Sequence, residues 1–311
     1  MLPTPDTSHV PYTLVYEPAE DSFLLLDTLS SPSEVSFLSS HFSPFPATTT
    51  TISSPRSQPQ GAPLVLEVGS GSGVVTAFLT ANAGRLFGHA AVLTLSTDVN
   101  VFACSATAKT TTRACAGEGE RQRSSGTTDG DGNETENDAG PGAYLASLRA
   151  DLATPFLPGS VDVLVFNPPY VPTPSVPRRM EQRGGPPPRG GGGGGGGGEK
   201  KPGYEEEIYL LELSYAGGDK GMEVTDRLLD SLPEVLSPRG CAYVLMCAQN
   251  KPQQVRERIR RWDAGRDDSN NAGNNGARWM AETVGSSGKK AGWEKLEIVR
   301  IWREFGKVGD K

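Results

Sequence analysis

Histidine is scarce in this 311-residue chain: three residues, at positions 9, 41 and 89, none close to another. The four cysteines, at 104, 115, 241 and 247, form no Cys-x-x-Cys pair. Together these absences exclude a zinc site and a disulfide framework by spacing, and leave the thiols as buried free groups suited to a reducing compartment. Net positive charge is missing too. A formal charge of -7 argues against autonomous nucleic-acid binding, which needs clustered Lys and Arg for phosphate contacts. No apolar run reaches membrane-spanning length, and the first residues, Met-Leu-Pro-Thr-Pro-Asp-Thr, lack the basic and apolar blocks of a signal peptide. A cytoplasmic location, extending to the nucleus, is expected.

Apolar residues make up 36% of the chain, enough for one core once biased segments are set aside. Four such segments read as disordered insertions in a single domain spanning residues 1–311: about 30–60 (Ser, Thr, Pro), 116–142 (Gly, Asp, Glu, Thr), 172–202 (Pro, then a glycine run) and 265–276 (Asn, Gly). Between them strands and helices alternate. Helices are expected at 20–29, 74–83, 101–113, 225–236 and 253–262, and strands at 64–68, 91–96, 144–148, 161–166 and 241–247, with a closing strand pair at 278–284 and 295–302. Continuous apolar strands alternating with helices predict a parallel sheet covered on both faces.

The most informative stretch is an apolar strand running into Asn167-Pro168-Pro169-Tyr170. The Asn167 side-chain carbonyl and the Pro168 backbone carbonyl can each accept one hydrogen of a substrate NH2. Proline offers no competing N–H, and its fixed φ holds the carbonyl still. Tyr170 can pack against a planar amide. The bland alternative is a strand-ending turn, since Asn-Pro often starts one.

After the first strand, Glu67, Gly69, Gly71 and Gly73 stand in a Gly-x-Gly-x-Gly loop. This is one residue short of the dinucleotide fingerprint, and the Glu67 carboxylate would repel a pyrophosphate, so the loop points to a cationic cofactor such as S-adenosylmethionine. Any tight strand-to-helix turn can also use glycine. Asp98, about 25 residues beyond Gly73, is placed to accept from both ribose hydroxyls or to cap the following helix. Asp151 and Leu152 are candidates for the adenine edge, or a solvated loop. Tyr16 and Pro18 lead into the first helix and Glu20, Asp21 and Ser22 open it, where acids suit the N-terminus; the segment could fold over the cofactor as a lid. The glycines of Ala216–Gly221 could simply connect a loop to the next helix.

In order and spacing, Tyr16-Glu-Pro-Ala-Glu-Asp-Ser22, Leu66-Glu-Val-Gly-Ser-Gly-Ser-Gly73, Thr97-Asp-Val-Asn100, Asn167–Tyr170, Ala216–Gly221 and Cys241–Pro252 resemble the HemK-like glutamine methyltransferases, and within them the eukaryotic MTQ-type catalytic subunits. The resemblance implies a Rossmann-like class I methyltransferase fold, α/β, with a seven-stranded, mostly parallel sheet whose last strand is antiparallel. It implies S-adenosyl-L-methionine as cofactor, no metal in the chain itself, and a Gly-Gly-Gln glutamine of the class-1 translation release factor as acceptor. It also implies a small zinc-binding activator subunit covering the sheet edge at Tyr144–Leu148, where Tyr144, Leu145 and Leu148 would otherwise invite aggregation. Lysine and adenine are the alternative acceptors. An interaction protein without activity and a nicotinamide oxidoreductase are the rival classes, the latter opposed by the glycine spacing.

Overall fold

The computed structural model describes residues 2–43, 61–124, 140–177, 203–262, 277–287 and 295–305, with side chains 118–124 set aside. Seven strands form one sheet: β1 (Leu64–Val68), β2 (Leu93–Asp98), β3 (Ala143–Arg149), β4 (Val161–Phe166), β5 (Leu236–Cys247), β6 (Ala277–Ser286) and β7 (Leu296–Phe305). Their spatial order is β3-β2-β1-β4-β5-β7-β6. The first five in that row are parallel, and β7 runs antiparallel to both β5 and β6. Helices α1 (Glu20–Leu29), α2 (Pro32–His41), α3 (Val74–Ala81), α4 (Ala83–Phe87), α5 (Val101–Ser124), α6 (Tyr204–Tyr215), α7 (Glu223–Val235) and α8 (Pro252–Ile259) complete the described elements.

The apolar runs that predicted buried strands do so for a simple reason: every residue of β4 is buried, and neighbours in the chain serve opposite faces. Val163 and Val165 join Leu25, Phe78, Tyr243 and Ile298 in one core, whereas Leu164 and Phe166 join Leu228, Leu232, Val244 and Ile301 in the other. This side-chain alternation requires apolar cover on both sides. Helices α1–α4 supply the first cover and α7–α8 the second.

Three expectations change. The segment read as a disordered insertion from Ser30 begins with a helix, α2. Ser31 accepts the Glu34 backbone N–H at 3.4 Å, and Pro32 stands in the first turn, where its missing donor is harmless. Leu38 and Phe42 are buried there, so the short apolar set outweighs the polar composition around it. Second, α5 continues past Arg113 to Ser124: propagation from a helix already nucleated on the sheet carries it through Gly117 and Gly119, each of which costs about 1 kcal/mol. Third, α6 follows directly on the glycine-rich segment and lacks a counterpart in the sequence reading. Residues 178–202 and 265–276, like 44–60 and 125–139, lie outside the described residues.

α2 is bolted to the sheet by a buried charge. Glu34, 2% exposed, accepts from the Tyr243 hydroxyl at 2.8 Å and from Arg300 at 2.7 Å. The Arg300 guanidinium also lies over the rings of Phe37, at 3.9 Å, and Trp302, at 4.5 Å. Truncating one member of such a pair leaves the other charge buried and uncompensated. Glu34→Ala is therefore expected to cost about 3–5 kcal/mol, read as a lower midpoint in denaturant unfolding, with a smaller loss for Glu34→Gln.

Candidate active site

Strand order fixes where a site can form. β1 and β4 are neighbours, with Val68 opposite Phe166, yet β1 continues toward β2 on one side and β4 toward β5 on the other. The chain therefore leaves a crevice at their carboxyl ends, as open parallel sheets do. A cavity of about 250 Å³ occupies it. Tyr16, Asp21, Ser22, Glu67, Gly69, Gly71, Asp98, Asp151, Leu152, Asn167, Pro168 and Pro169 all line it. Pro18, Glu20, Gly73 and Tyr170 are not among the lining residues.

The glycine loop divides its labour. Gly69, Gly71 and Gly73 all have positive φ, at 66°, 52° and 79°. Gly71 faces open space: a Cβ there would meet nothing nearer than Tyr16 at 4.0 Å. Gly73 does not face the cavity. A Cβ on it would fall 2.4 Å from the Thr107 Cα, so this glycine lets α3 and α5 approach each other, a packing duty the spacing alone could not separate from cofactor approach.

Two carboxyls, Glu67 buried and Asp98 half-buried, stand beside the loop. Glu67, 4% exposed, accepts the Thr76 backbone N–H at 2.8 Å and the Thr76 hydroxyl. Burial outweighs both bonds and pushes its carboxyl up to about 8. Asp98 accepts from the backbone N–H of Gly71 at 3.0 Å and of Asn100 at 2.8 Å, and burial raises its carboxyl as well. Asp98 does not cap α5. Asn100 does, accepting the Phe102 N–H at 2.9 Å while its Nδ2 donates to the Leu14 carbonyl at 2.7 Å. That second bond ties the strap carrying Val15 and Tyr16 to the loop. The Tyr16 hydroxyl donates to Asp21 at 3.0 Å, and Asp21 also accepts the Ser22 N–H at 2.6 Å.

On the β4 side, the Asn167 Oδ1 is buried and has no hydrogen-bond partner among the described residues. Tyr170 is partly buried, packs against the core that holds Val163 and Val165, and is not among the lining residues. Asp151 is bound by Arg227 at 2.6 Å, which engages the carboxylate expected to meet an adenine amine, and Leu152 beside it has φ 51°. Arg227, and Tyr209, Leu210, Leu213 and Ser214 of α6, line the cavity without having been singled out in the sequence. The only signal for α6 was the apolar Ile208–Leu211 run, overshadowed by the glycines before it. Among the described residues no cluster of His, Cys, Asp or Glu could hold a metal, and no helix is long and apolar enough to cross a membrane.

No protein-family model matches the chain. It is 30% identical over 260 residues to mouse "Methyltransferase HEMK2", covering 82% of this chain and 83% of that protein. The chain belongs to the HemK-like methyltransferases. A second HemK-like relative, the Schizosaccharomyces pombe "eRF1 methyltransferase catalytic subunit mtq2", is 26% identical over 322 aligned positions and all of both chains. A solved SAM-dependent methyltransferase from Aquifex aeolicus is similar at TM-score 0.33 and 11% identity, over 91% of this chain and 98% of that one. Strand order, and not that likeness, establishes the fold of this HemK-like enzyme. Kinship to methyltransferases sets aside the oxidoreductase and non-enzymatic readings.

Glu67 has a measurable consequence. Folded, it keeps its proton to about pH 8, whereas an exposed carboxyl releases it near 4.5. The folded state thus binds more protons between these values, and the stabilisation this gives at low pH is lost as pH rises through the folded value. Unfolding free energies measured from pH 5 to 9 should carry this downward slope, and Glu67→Gln should make it shallower, leaving the share of Asp98.

Proposed function

We propose that the chain transfers a methyl group from S-adenosylmethionine to the side-chain amide nitrogen of the glutamine in a Gly-Gly-Gln peptide of the class-1 release factor. The observation that carries this is the Asn167 Oδ1, a buried carbonyl oxygen on the cavity wall that lacks a donor. Leaving such an acceptor unpaired costs about 1–3 kcal/mol, so the site is complete only when an N–H arrives from outside. A carboxamide NH2 brings two hydrogens, one for Asn167 and one for the neighbouring Pro168 carbonyl. The acceptor named for the fission yeast relative, eRF1, supports the choice of polypeptide.

The cofactor fits the residues present. Buried Glu67 and half-buried Asp98 line the cavity beside Gly71, an acceptor set suited to a molecule with cationic groups and a ribose, where Asp98 accepts from hydroxyls. A cation beside Glu67 favours its ionised form and opposes the upward push of burial. Tyr16 of the strap and Asp21 and Ser22 of α1 line the cavity on that side. Bound S-adenosylmethionine supplies a methyl group activated by its sulfonium.

The protein's own contribution is orientation. An amide nitrogen is a poor nucleophile because its lone pair is delocalised into the carbonyl. Holding it about 3–3.5 Å from its target, in line, replaces lost reactivity with geometry. Positive charge then grows on the NH2, and acceptance by the Asn167 and Pro168 oxygens would stabilise it, the inverse of an oxyanion hole. The proton can leave after transfer, so no base is needed beforehand.

A small zinc-binding activator subunit completes the proposal. β3 is an edge strand whose Leu145 and Leu148 are 52% and 38% exposed, and Val101 at the start of α5 is 50% exposed. Apolar side chains on an open edge need cover, and a partner strand or loop provides it.

The direct test is mass spectrometry of a Gly-Gly-Gln release-factor domain after incubation with labelled cofactor and the chain co-expressed with the activator; an unlabelled glutamine overturns the reading. Asn167→Ala should keep cofactor affinity while turnover falls at least about a hundredfold, the scale of losing a charge-stabilising contact. Asp98→Ala should do the reverse and weaken cofactor binding in calorimetry. Leu145→Glu should abolish co-purification of the activator and leave cofactor affinity intact in whatever soluble chain remains.

A further inference from the structure

The Asn-Pro-Pro-Tyr segment is held from behind by a side chain that is not among the residues lining the cavity. Asn250, 5% exposed, ends the short turn Ala248–Asn250 after β5. Its Oδ1 accepts the Cys247 backbone N–H at 2.8 Å, and its Nδ2 donates to the carbonyls of Tyr170 at 3.3 Å, Lys220 at 3.0 Å and Gly221 at 3.3 Å. One amide thus joins the end of β5, the turn Asp219–Gly221 and the last residue of the tetrapeptide. Its two hydrogens are shared among three acceptors, a geometry possible only where the three segments converge.

The surroundings leave this loop no slack. A Cβ on Gly217 would lie 2.4 Å from the Pro169 carbonyl oxygen, and one on Gly221 would lie 2.0 Å from that of Tyr170. The next residue is zipped down as well: Val171 donates to Tyr215 at 3.0 Å and accepts from Gly217 at 2.8 Å. Lys220, within the turn Asp219–Gly221, and Lys251, directly after Asn250, have φ of 54° and 52°. Left-handed backbone outside glycine persists only when the structure around it over-determines it. Both strained residues stand at the clamp, where Asn250 donates to the Lys220 carbonyl and directly precedes Lys251.

We infer that Asn250 is a positioning residue for methyl transfer, fixing the backbone that follows Asn167 so that the Asn167 and Pro168 carbonyls meet the acceptor NH2 in one pose. The inference rests on the methyl-transfer reading and adds a second layer to it. Asn250 touches neither cofactor nor acceptor; it removes the freedom that a two-proline loop would otherwise have at its carboxyl end.

The test compares three variants of the full chain, co-expressed with the activator and assayed on the release-factor domain at a temperature where all remain folded. Asn250→Ala loses every bond. Asn250→Asp keeps the acceptor for Cys247 but points a carboxylate at three carbonyls. Arg239→Ala, which breaks the Asp162–Arg239 pair at 2.8 Å at the opposite ends of the strands, supplies destabilisation away from the loop. Both Asn250 variants should lose about tenfold to a hundredfold in kcat, the scale of a misplacement near 1 Å, with cofactor affinity within about twofold of wild type. The Asp variant should recover as pH falls from 8 to 6, because a protonated carboxyl donates one of the lost bonds. Equal kcat losses in Arg239→Ala and Asn250→Ala, or full activity in either Asn250 variant, would overturn the positioning role. A wild-type chain that methylates no release factor overturns the reading beneath it, whatever the variants do.

Discussion

The lateral pairing of β1 with β4 is the constraint from which the site follows. In-register parallel strands end at the same edge, and here Val68 and Phe166 are partners, so the glycine loop and Asn167 emerge side by side although about a hundred residues separate them. Because the two chains then turn toward opposite ends of the sheet, nothing in the backbone fills the gap between them. Both apolar cores are needed to hold that pairing. A sheet with one bare face could not keep six consecutive buried residues in β4, and the crevice would lose its floor.

Around this gap the protein concentrates polar groups that folding alone does not satisfy. Glu67 is raised by burial despite two bonds from Thr76, Asp98 is raised despite bonds from Gly71 and Asn100, and Asn167 keeps an unpaired carbonyl among the described residues. Each of these is destabilising taken singly. Together they describe the molecule that would relieve them: cationic near Glu67, rich in hydroxyls near Asp98, and offering N–H groups near Asn167. Arg227 meets Asp151 instead, so the rim toward β3 is already neutralised and the unpaired groups lie deeper.

Much of this was legible in the residues. Apolar runs mark every strand of the sheet, and residue type and spacing point to Glu67, Gly71, Asp98 and Asn167, all of which line the cavity. Composition misled where it averaged over unlike neighbours. Serine and proline around Ser31–Glu34 read as an insertion but cap and start a helix, and the Gly-Glu tail of α5 lengthens it. The duty of Gly73 was invisible because it depends on Thr107, more than thirty positions away. The packing of Tyr170 against the core was equally invisible, since it too depends on residues far along the chain.

Sequence by itself determined the periodicities, and with them a parallel α/β sheet, since buried strands and covered faces follow from which residues avoid water. It also determined the chemistry available at the site, because a carboxamide between an apolar strand and two prolines can do little but accept and orient. Tertiary structure alone decided which residues share a wall. Long-range strand order, the approach of α3 to α5, α6 closing over the crevice, and Asn250 reaching three carbonyls are all contacts between segments distant in the chain, and no local pattern encodes a distance between surfaces that meet only on folding.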